Sequence, residues 1–363
     1  MSLKTAKRVT ESSSEGRQKG TRIIYFLYVL TLKAWSIRLI TVLLFFVSFY
    51  FSHVFLQSYT GTGKPPAPSK TACDGWMMSK KWEALGFNVS RNTQLFLRLG
   101  DFFWKDCSSS LPLPYGIKGS EAYLLKVLAS AASYRMPDSV KSSLCRTCVV
   151  IGNGFSIKNS SLGGAINKYD VVIRLNDAPV RGYEDDVGNK TTMRFFYPES
   201  ASSNPGVHND PDTLMVLVPF KQQDLRWIKE ILNDEKRERK GFWKPPPQFW
   251  LGNPKQLRIL DPFFLHQTAS RLLNIPLKPK SNQNPVHPTT GILAIYVALN
   301  FCDMVHVAGF GYPGSRNPKQ PIHYYGQDTM KSMKDSYHDL RHEADAIKRL
   351  EDSGAILLLN HPS

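Results

Sequence analysis

Six histidines fall between residues 287 and 361 of this 363-residue chain: His287, His306, His323, His338, His342 and His361. An imidazole titrates near neutrality, so each is a candidate general base, general acid or metal ligand. His338 and His342 stand four residues apart at the start of a stretch with helical spacing, which could present two zinc ligands on one face. No third ligand follows at a fixed spacing, so the competing reading keeps one as a base and leaves the other solvated. Glu343, five residues after His338, either orients a neighbour or is a solvated residue of the first turns, the commoner fate of such a position. His323-Tyr324-Tyr325-Gly326 follows a Pro-containing stretch (317–321) and reads as a loop, either a ligand-contact element or a surface histidine.

Two glycine-rich turns offer a different chemistry. Gly152-Asn153-Gly154-Phe155-Ser156 follows the apolar run CVVI, and Gly309-Phe310-Gly311-Tyr312 follows MVHVA. Small residues let an anionic ligand approach backbone N–H groups, which suits phosphate, although a glycine that merely forms a turn is an equal reading. Ile157 stands where a dinucleotide fingerprint has its third glycine, so that fingerprint is incomplete. GxSxG, GxxxxGK[ST] and HExxH are all absent, which excludes the usual serine-hydrolase, P-loop and zincin signatures. Asp210-Pro211-Asp212 is formally D-x-D, but its setting, HNDPDT before a strand, reads as turn chemistry rather than a metal site.

The elements that must position these groups alternate. Residues 148–152, 170–175, 192–196, 214–219, 304–308 and 355–359 are short apolar runs of buried-strand type, while 224–236, 262–274, 290–301 and 339–353 carry helical spacing. Such alternation predicts an α/β domain with a mainly parallel sheet, whose ligands bind outside the carboxyl ends of the strands. With 42% hydrophobic and 12% aromatic residues, wholesale disorder is excluded. The 24 Gly and 24 Pro follow no repeat, which excludes collagen and solenoids.

Residues 39–56 (LITVLLFFVSFYFSHVFL) carry no formal charge, and at 1.5 Å per residue would span about 27 Å, close to one hydrocarbon core. Basic residues dominate the 38 residues before it and one Lys lies just after, an asymmetry that predicts a cytosolic tail (1–38), a transmembrane signal anchor (39–56) and a lumenal remainder. Residues 57–72 are rich in Pro, Gly, Ser and Thr and read as a stem, leaving 73–363 as the folded lumenal domain. A lumenal setting makes Asn88, Asn159 and Asn189 glycosylation candidates and exposes Cys73, Cys107, Cys145, Cys148 and Cys302 to an oxidising solvent. Structural disulfides to distant partners are favoured over a redox or zinc role for Cys145-x-x-Cys148. The formal charge is +16. Its basic N-terminal share is a topology signal, and the rest suits attraction of anionic ligands without requiring a nucleic acid.

The motifs together resemble the animal sialyltransferases, closely the β-galactoside α-2,3-sialyltransferases of the N-acetyllactosamine-type subfamily. Residues 148–199 resemble the family's long sialylmotif and 288–311 the short motif. His323-Tyr324-Tyr325 resembles the third motif, and HDLRHE (338–343) the very short H-x4-E motif. The resemblance implies a single Rossmann-like, variant GT-A domain behind an anchor and stem in a Golgi type II membrane protein. It implies inverting, metal-independent transfer of sialic acid from CMP-sialic acid to O3 of terminal galactose, on Galβ1-4GlcNAc or Galβ1-3GalNAc/GlcNAc of glycoproteins and glycolipids, with no cofactor. A catalytically silent, membrane-tethered glycan-binding protein on the same scaffold is the alternative, and retention of His323 and His338 argues against it.

Carried over by position, the resemblance makes His338 the general base and His323 the group facing the departing phosphate. Asn153, Ser156 and Asn176 would contact nucleotide and phosphate. Thr290, Gly291 and Gly311 would line the cytidine and sialic-acid pocket, and Tyr324 would reach the phosphate. Cys148 would pair with Cys302 and Cys145 with Cys73, leaving Cys107 odd. One departure stands out: Gly326 occupies a position that is often Glu in the family.

Overall fold

A computed structural model describes residue 38, residues 40–52 and most of residues 93–360. Packing divides the chain into two units, Met1–Thr71 and Ala72–Ser363. In the first, residues 40–52 are helical with exposed apolar side chains, Phe45 and Phe49 stacking at 6.5 Å. Among the described residues no helix is long and apolar enough to cross a membrane. Residue 39, residues 53–56 and the stem at 57–72 lie outside the described residues, as do Cys73, Cys107, Asn88 and His361.

The second unit is built on a seven-stranded sheet, all of whose pairings are parallel. The strands are β1 Thr147–Ile151, β2 Val171–Leu175, β3 Met193–Phe196, β4 Leu214–Leu217, β5 Leu257–Ile259, β6 Met304–Ala308 and β7 Leu357–Leu358, and their spatial order is β5-β4-β3-β2-β1-β6-β7. From β1 the chain winds outward through β2 to β5, then returns to lay β6 on the other side of β1. That reversal opens a crevice at the carboxyl ends of β1 and β6, where both glycine turns lie.

The longer helices are α1 Glu121–Ser130, α2 Gln222–Leu232, α3 Pro262–Gln267, α4 Thr290–Leu299 and α5 Leu340–Asp352. Helix α4 (TGILAIYVAL) is apolar all round because it is buried all round, packing on β1, β2, β3 and β6. Each fully buried Leu, Ile or Val in it contributes about 1.5–3 kcal/mol. The strands serve two faces with period two. Cys148, Val150, Val171, Ile173, Met193 and Phe195 point toward the core that holds α4, whereas Val149, Ile151 and Val172 enter a second core. Three of these helices have a start signal in the sequence: Asp261 caps α3 by accepting from Phe263 N, Thr289 caps α4 by accepting from Ile292 N, and Asp339 caps α5 by accepting from His342 N.

Cys148 in β1 is disulfide-bonded to Cys302, which immediately precedes β6, with Cα atoms 5.9 Å apart. The bond ties together the two strands that carry the glycine turns. Cys145 is also disulfide-bonded, and its expected partner, Cys73, is outside the described residues.

Candidate active site

The glycine turns after β1 and β6 lock into each other through their backbones. Gly152 N donates to Ala308 O (2.8 Å) and Gly154 N to Gly309 O (2.7 Å). A Cβ on Gly152 would sit 2.3 Å from Gly309 O, and one on Gly154 2.6 Å from the same atom. These two glycines are therefore required by turn-to-turn approach, while Gly311, with φ +108° and open space beside its Cα, faces the crevice. His323 is threaded onto the same turns. It bridges Gly154, with Phe155 N donating to Ile322 O (3.1 Å) and Tyr324 N to Asn153 O (3.0 Å). Its ring stacks on Tyr325 at 5.2 Å, and the Tyr325 hydroxyl accepts from Asn153 Nδ2 (3.3 Å). Burial pushes His323 below the usual histidine value, while Asp328 and Asp177 pull it back up.

Tyr324 departs from the expected role of reaching a phosphate. It is buried in the second core, and its hydroxyl donates to Pro179 O at 2.6 Å. Tyr325, half-buried, is the third-motif tyrosine that stays beside His323 and Asn153. Gly326, with φ +70°, takes a left-handed turn that glycine favours over the family's usual Glu.

His338 belongs to a second group that clasps the start of α4. Its Nδ1 lies 2.8 Å from His287 O, and His287 N donates to Tyr337 O (2.9 Å). A carbonyl only accepts, so Nδ1 carries the proton and Nε2 keeps a free lone pair. Burial depresses the His338 value, against a rise from the bond to His287. His287 itself is pushed down to about 4 by burial and by its proximity to His338. Glu343 completes the clasp and corrects the expectation of a solvated side chain: it is 5% exposed, its Oε1 accepting from Thr289 N (2.7 Å) and its Oε2 from Thr289 Oγ1 (2.5 Å). Burial raises its carboxyl to about 7 despite those two bonds.

Phe310 joins the two groups. Its carbonyl lies 3.4 Å from Ser156 Oγ, and its ring would be 3.2 Å from a Cβ on Gly291, the second residue of α4. Thr290 is buried beside it. Asn176, at the end of β2, has φ 55° and is held by Arg194, whose Nη1 donates to Asn176 O (2.8 Å) and Ala178 O (3.1 Å). The Asn176 Oδ1 is buried without a hydrogen-bond partner among the described residues, and Asn176 lines one pocket with Arg194, Ser200 and His208.

His342 points elsewhere. It is half-buried with its Nδ1 4.0 Å from Asp339 Oδ2, whereas His338 Nδ1 is bonded to the His287 carbonyl. Among the described residues no group of three or more His, Cys, Asp or Glu is placed to hold a metal ion. Asp210 forms a turn, its carbonyl accepting from Thr213 N and Gln256 Nε2. Asn159 and Asn189, two of the glycosylation candidates, are exposed.

Residues 100–355 match the model of glycosyltransferase family 29 (sialyltransferase). The chain belongs to that family. It is 56% identical over 291 residues to the human CMP-N-acetylneuraminate-beta-galactosamide-alpha-2,3-sialyltransferase 4, covering 80% of this chain and 86% of the relative. It is 44% identical over 253 residues to the human type 2 lactosamine alpha-2,3-sialyltransferase, covering 69% and 76%. A solved structure described as a mammalian sialyltransferase superposes with a TM-score of 0.59 at 25% identity, over 78% of this chain and 95% of that one.

Two buried arginines of this sialyltransferase went unread in the sequence. Arg174 in β2 and Arg194 in β3 are register partners, each 2% exposed. Arg174 donates to Val187 O (2.6 Å), Gly188 O and Lys190 O. Burial lowers both guanidinium values to about 10, with each staying cationic at neutral pH. Their signal was a charged residue inside otherwise apolar strand runs (VVIRL, MRFF), which in a buried strand requires a specific set of acceptors.

Proposed function

We propose that this enzyme transfers sialic acid from CMP-sialic acid to O3 of a terminal galactose. The observation that carries the reading is the His338 to His287 carbonyl bond, which leaves Nε2 unprotonated and able to accept a proton. The galactose O3 attacks the anomeric carbon as the bond to the phosphate oxygen breaks. His338 Nε2 takes the hydroxyl proton, the departing CMP takes the bonding pair, and displacement from the opposite face inverts the centre. The transition state has oxocarbenium character, with negative charge growing on the leaving phosphate. His323, beside Asn153 and Ser156 at the turn after β1, is positioned to donate to that phosphate, helped by backbone amides of the glycine turns. Thr290 and Gly291 supply the unsatisfied N–H groups of the α4 start.

The relatives' names supply the acceptor class: a β-galactoside, with Galβ1-4GlcNAc and Galβ1-3GalNAc/GlcNAc as the candidate termini. We further propose that the reaction uses no metal, and that residues 39–56 anchor the chain as a type II protein of the Golgi membrane with the domain from 73 onward in the lumen. The exposed apolar helix at 40–52 and the basic residues before it support this topology.

The test incubates the full chain in detergent with CMP-sialic acid and a panel of β-galactosides, with and without chelator. Transfer to O3 in both conditions is the expected result. No transfer to any galactoside overturns the reading, and loss with chelator overturns metal independence. Protease protection of the catalytic domain in sealed Golgi vesicles tests the topology.

A further inference from the structure

The segment after α2 forms a strap along that helix. Lys229 pairs with Glu235. Arg226 pairs with Glu238 (2.6 Å) and donates to Lys240 O (2.7 Å). Gly241 then lies against Gln223, and the Phe242 ring is 5.1 Å from Lys221 Nζ. The strap therefore runs back from the end of α2 to its start. Eight residues of extended chain span about 25 Å. Its far end reaches the carboxyl side of the sheet, since Lys221 bonds Glu199 (2.6 Å) in the turn that follows β3.

The strap's charges are divided unequally. Its three acids are all paired: Asp234 with Arg237, Glu235 with Lys229 and Glu238 with Arg226. Four of its cations, Lys236, Arg239, Lys240 and Lys244, are exposed, and none forms a salt bridge among the described residues. Between and beyond them stand Trp243, 72% exposed, and Phe249, 69% exposed. Unpaired cations interleaved with solvent-facing aromatics make an interaction surface rather than a solvated face.

We infer that the strap is a docking surface for the acidic polypeptide of a glycoprotein acceptor. Charge complementarity selects an anionic partner, and the strap's course toward the carboxyl ends of the strands selects one whose glycan must reach the crevice. This inference rests on the proposed transferase reading and adds to it a contact that a free disaccharide does not make.

The test compares the full chain with two variants, K236E/R239E/K240E/K244E and the same four positions changed to Gln. Each is assayed on N-acetyllactosamine and on a desialylated acidic glycoprotein. For the glycoprotein, kcat/KM is expected to fall about tenfold in the reversal and severalfold in the neutral variant, with the disaccharide value within twofold of the parent. For the unaltered chain, raising salt from about 20 to 200 mM should erode the glycoprotein value and leave the disaccharide value. Equal behaviour of the two acceptors, in the Gln variant or across salt, overturns the inference. Unchanged glycoprotein kinetics with lost sedimentation on vesicles of phosphatidylserine and phosphatidylcholine (1:3) also overturns it, in favour of a lipid surface. Absence of disaccharide transfer by the unaltered chain would instead remove the transferase reading.

Discussion

The His338 Nδ1 and the carbonyl oxygen of His287 are 2.8 Å apart, and this one contact decides what His338 can do. With Nδ1–H committed to an acceptor, the only unprotonated ring nitrogen is Nε2. The carbonyl also holds the ring plane, so in the proposed role of base the ring needs no reorientation when a hydroxyl arrives. His338→Ala should lower kcat about 10²–10⁴-fold, the usual contribution of general base catalysis, with the KM for CMP-sialic acid within about threefold. Because burial holds His338 below the ordinary histidine value, the acid limb of kcat/KM should fall below pH 6.5. The enzyme would stay active as pH drops toward that limb. Steady-state kinetics on the variant and a pH profile check both points, and near-normal turnover would remove His338 from the mechanism.

The same clasp predicts a graded series at Glu343. Its carboxylate fixes Thr289, which caps α4, so Glu343→Ala leaves the Thr289 N–H and hydroxyl unsatisfied. That should cost about 1–3 kcal/mol and raise the donor KM through the displaced start of α4. Glu343→Gln keeps an acceptor for the N–H and should be milder. The carboxyl sits at about 7 in the fold, above its value in an unfolded chain, so the folded state holds the proton more tightly. The stability it contributes is full at low pH and is lost as pH rises through about 7. Glu343→Gln, which cannot ionise, should flatten that decline. Thermal unfolding midpoints measured between pH 5 and 8 report the slope, and parallel profiles for parent and Gln variant would contradict the assignment.

The strands were legible because buried parallel strands read as apolar runs, and six of the seven coincide with such runs. Strand β5 was not, since Leu257-Arg258-Ile259 is short and centred on a charge. Helix α1 was missed as well; it packs on α2, and neither end carries a side-chain cap. His323 and His338 could be picked out by motif as candidates, yet the fate of Glu343 could not. Its burial depends on Thr289, 54 residues away, and helical spacing alone gave no reason to bring them together. Tyr324 and Tyr325 make the same point: adjacent identical residues, of which the fold buries one fully and leaves the other half-buried against His323.

The interlocked glycines predict contrasting outcomes for one methyl group. Gly154→Ala would place Cβ 2.6 Å from Gly309 O, backbone against backbone, where neither side can yield cheaply. It should destabilise by about 1–3 kcal/mol or more and spread the two turns. Gly164, in the short helical turn Gly163–Ile166, has nothing within 4 Å of the same added atom and an ordinary φ. Gly164→Ala should be neutral or stabilising by about 0.5–1 kcal/mol. Chemical denaturation of both variants checks the contrast. If Gly154→Ala is tolerated with normal donor binding, the close approach of the turns is not needed.

The last prediction concerns the disulfide between β1 and β6. Cys148 and Cys302 are 154 residues apart in sequence, so the bond closes a long loop that includes β2 to β5. Breaking such a crosslink costs about 2–5 kcal/mol, chiefly by freeing the unfolded chain. β1 and β6 carry the two glycine turns, so loosening their ends should also be felt at the donor. Cys302→Ser should lower the unfolding midpoint and raise the KM for CMP-sialic acid while kcat falls less. The substitution is cleaner than a reductant because it leaves the second disulfide, at Cys145, in place. An unchanged midpoint and KM would mean that the parallel pairing of β1 with β6 suffices to hold the turns together.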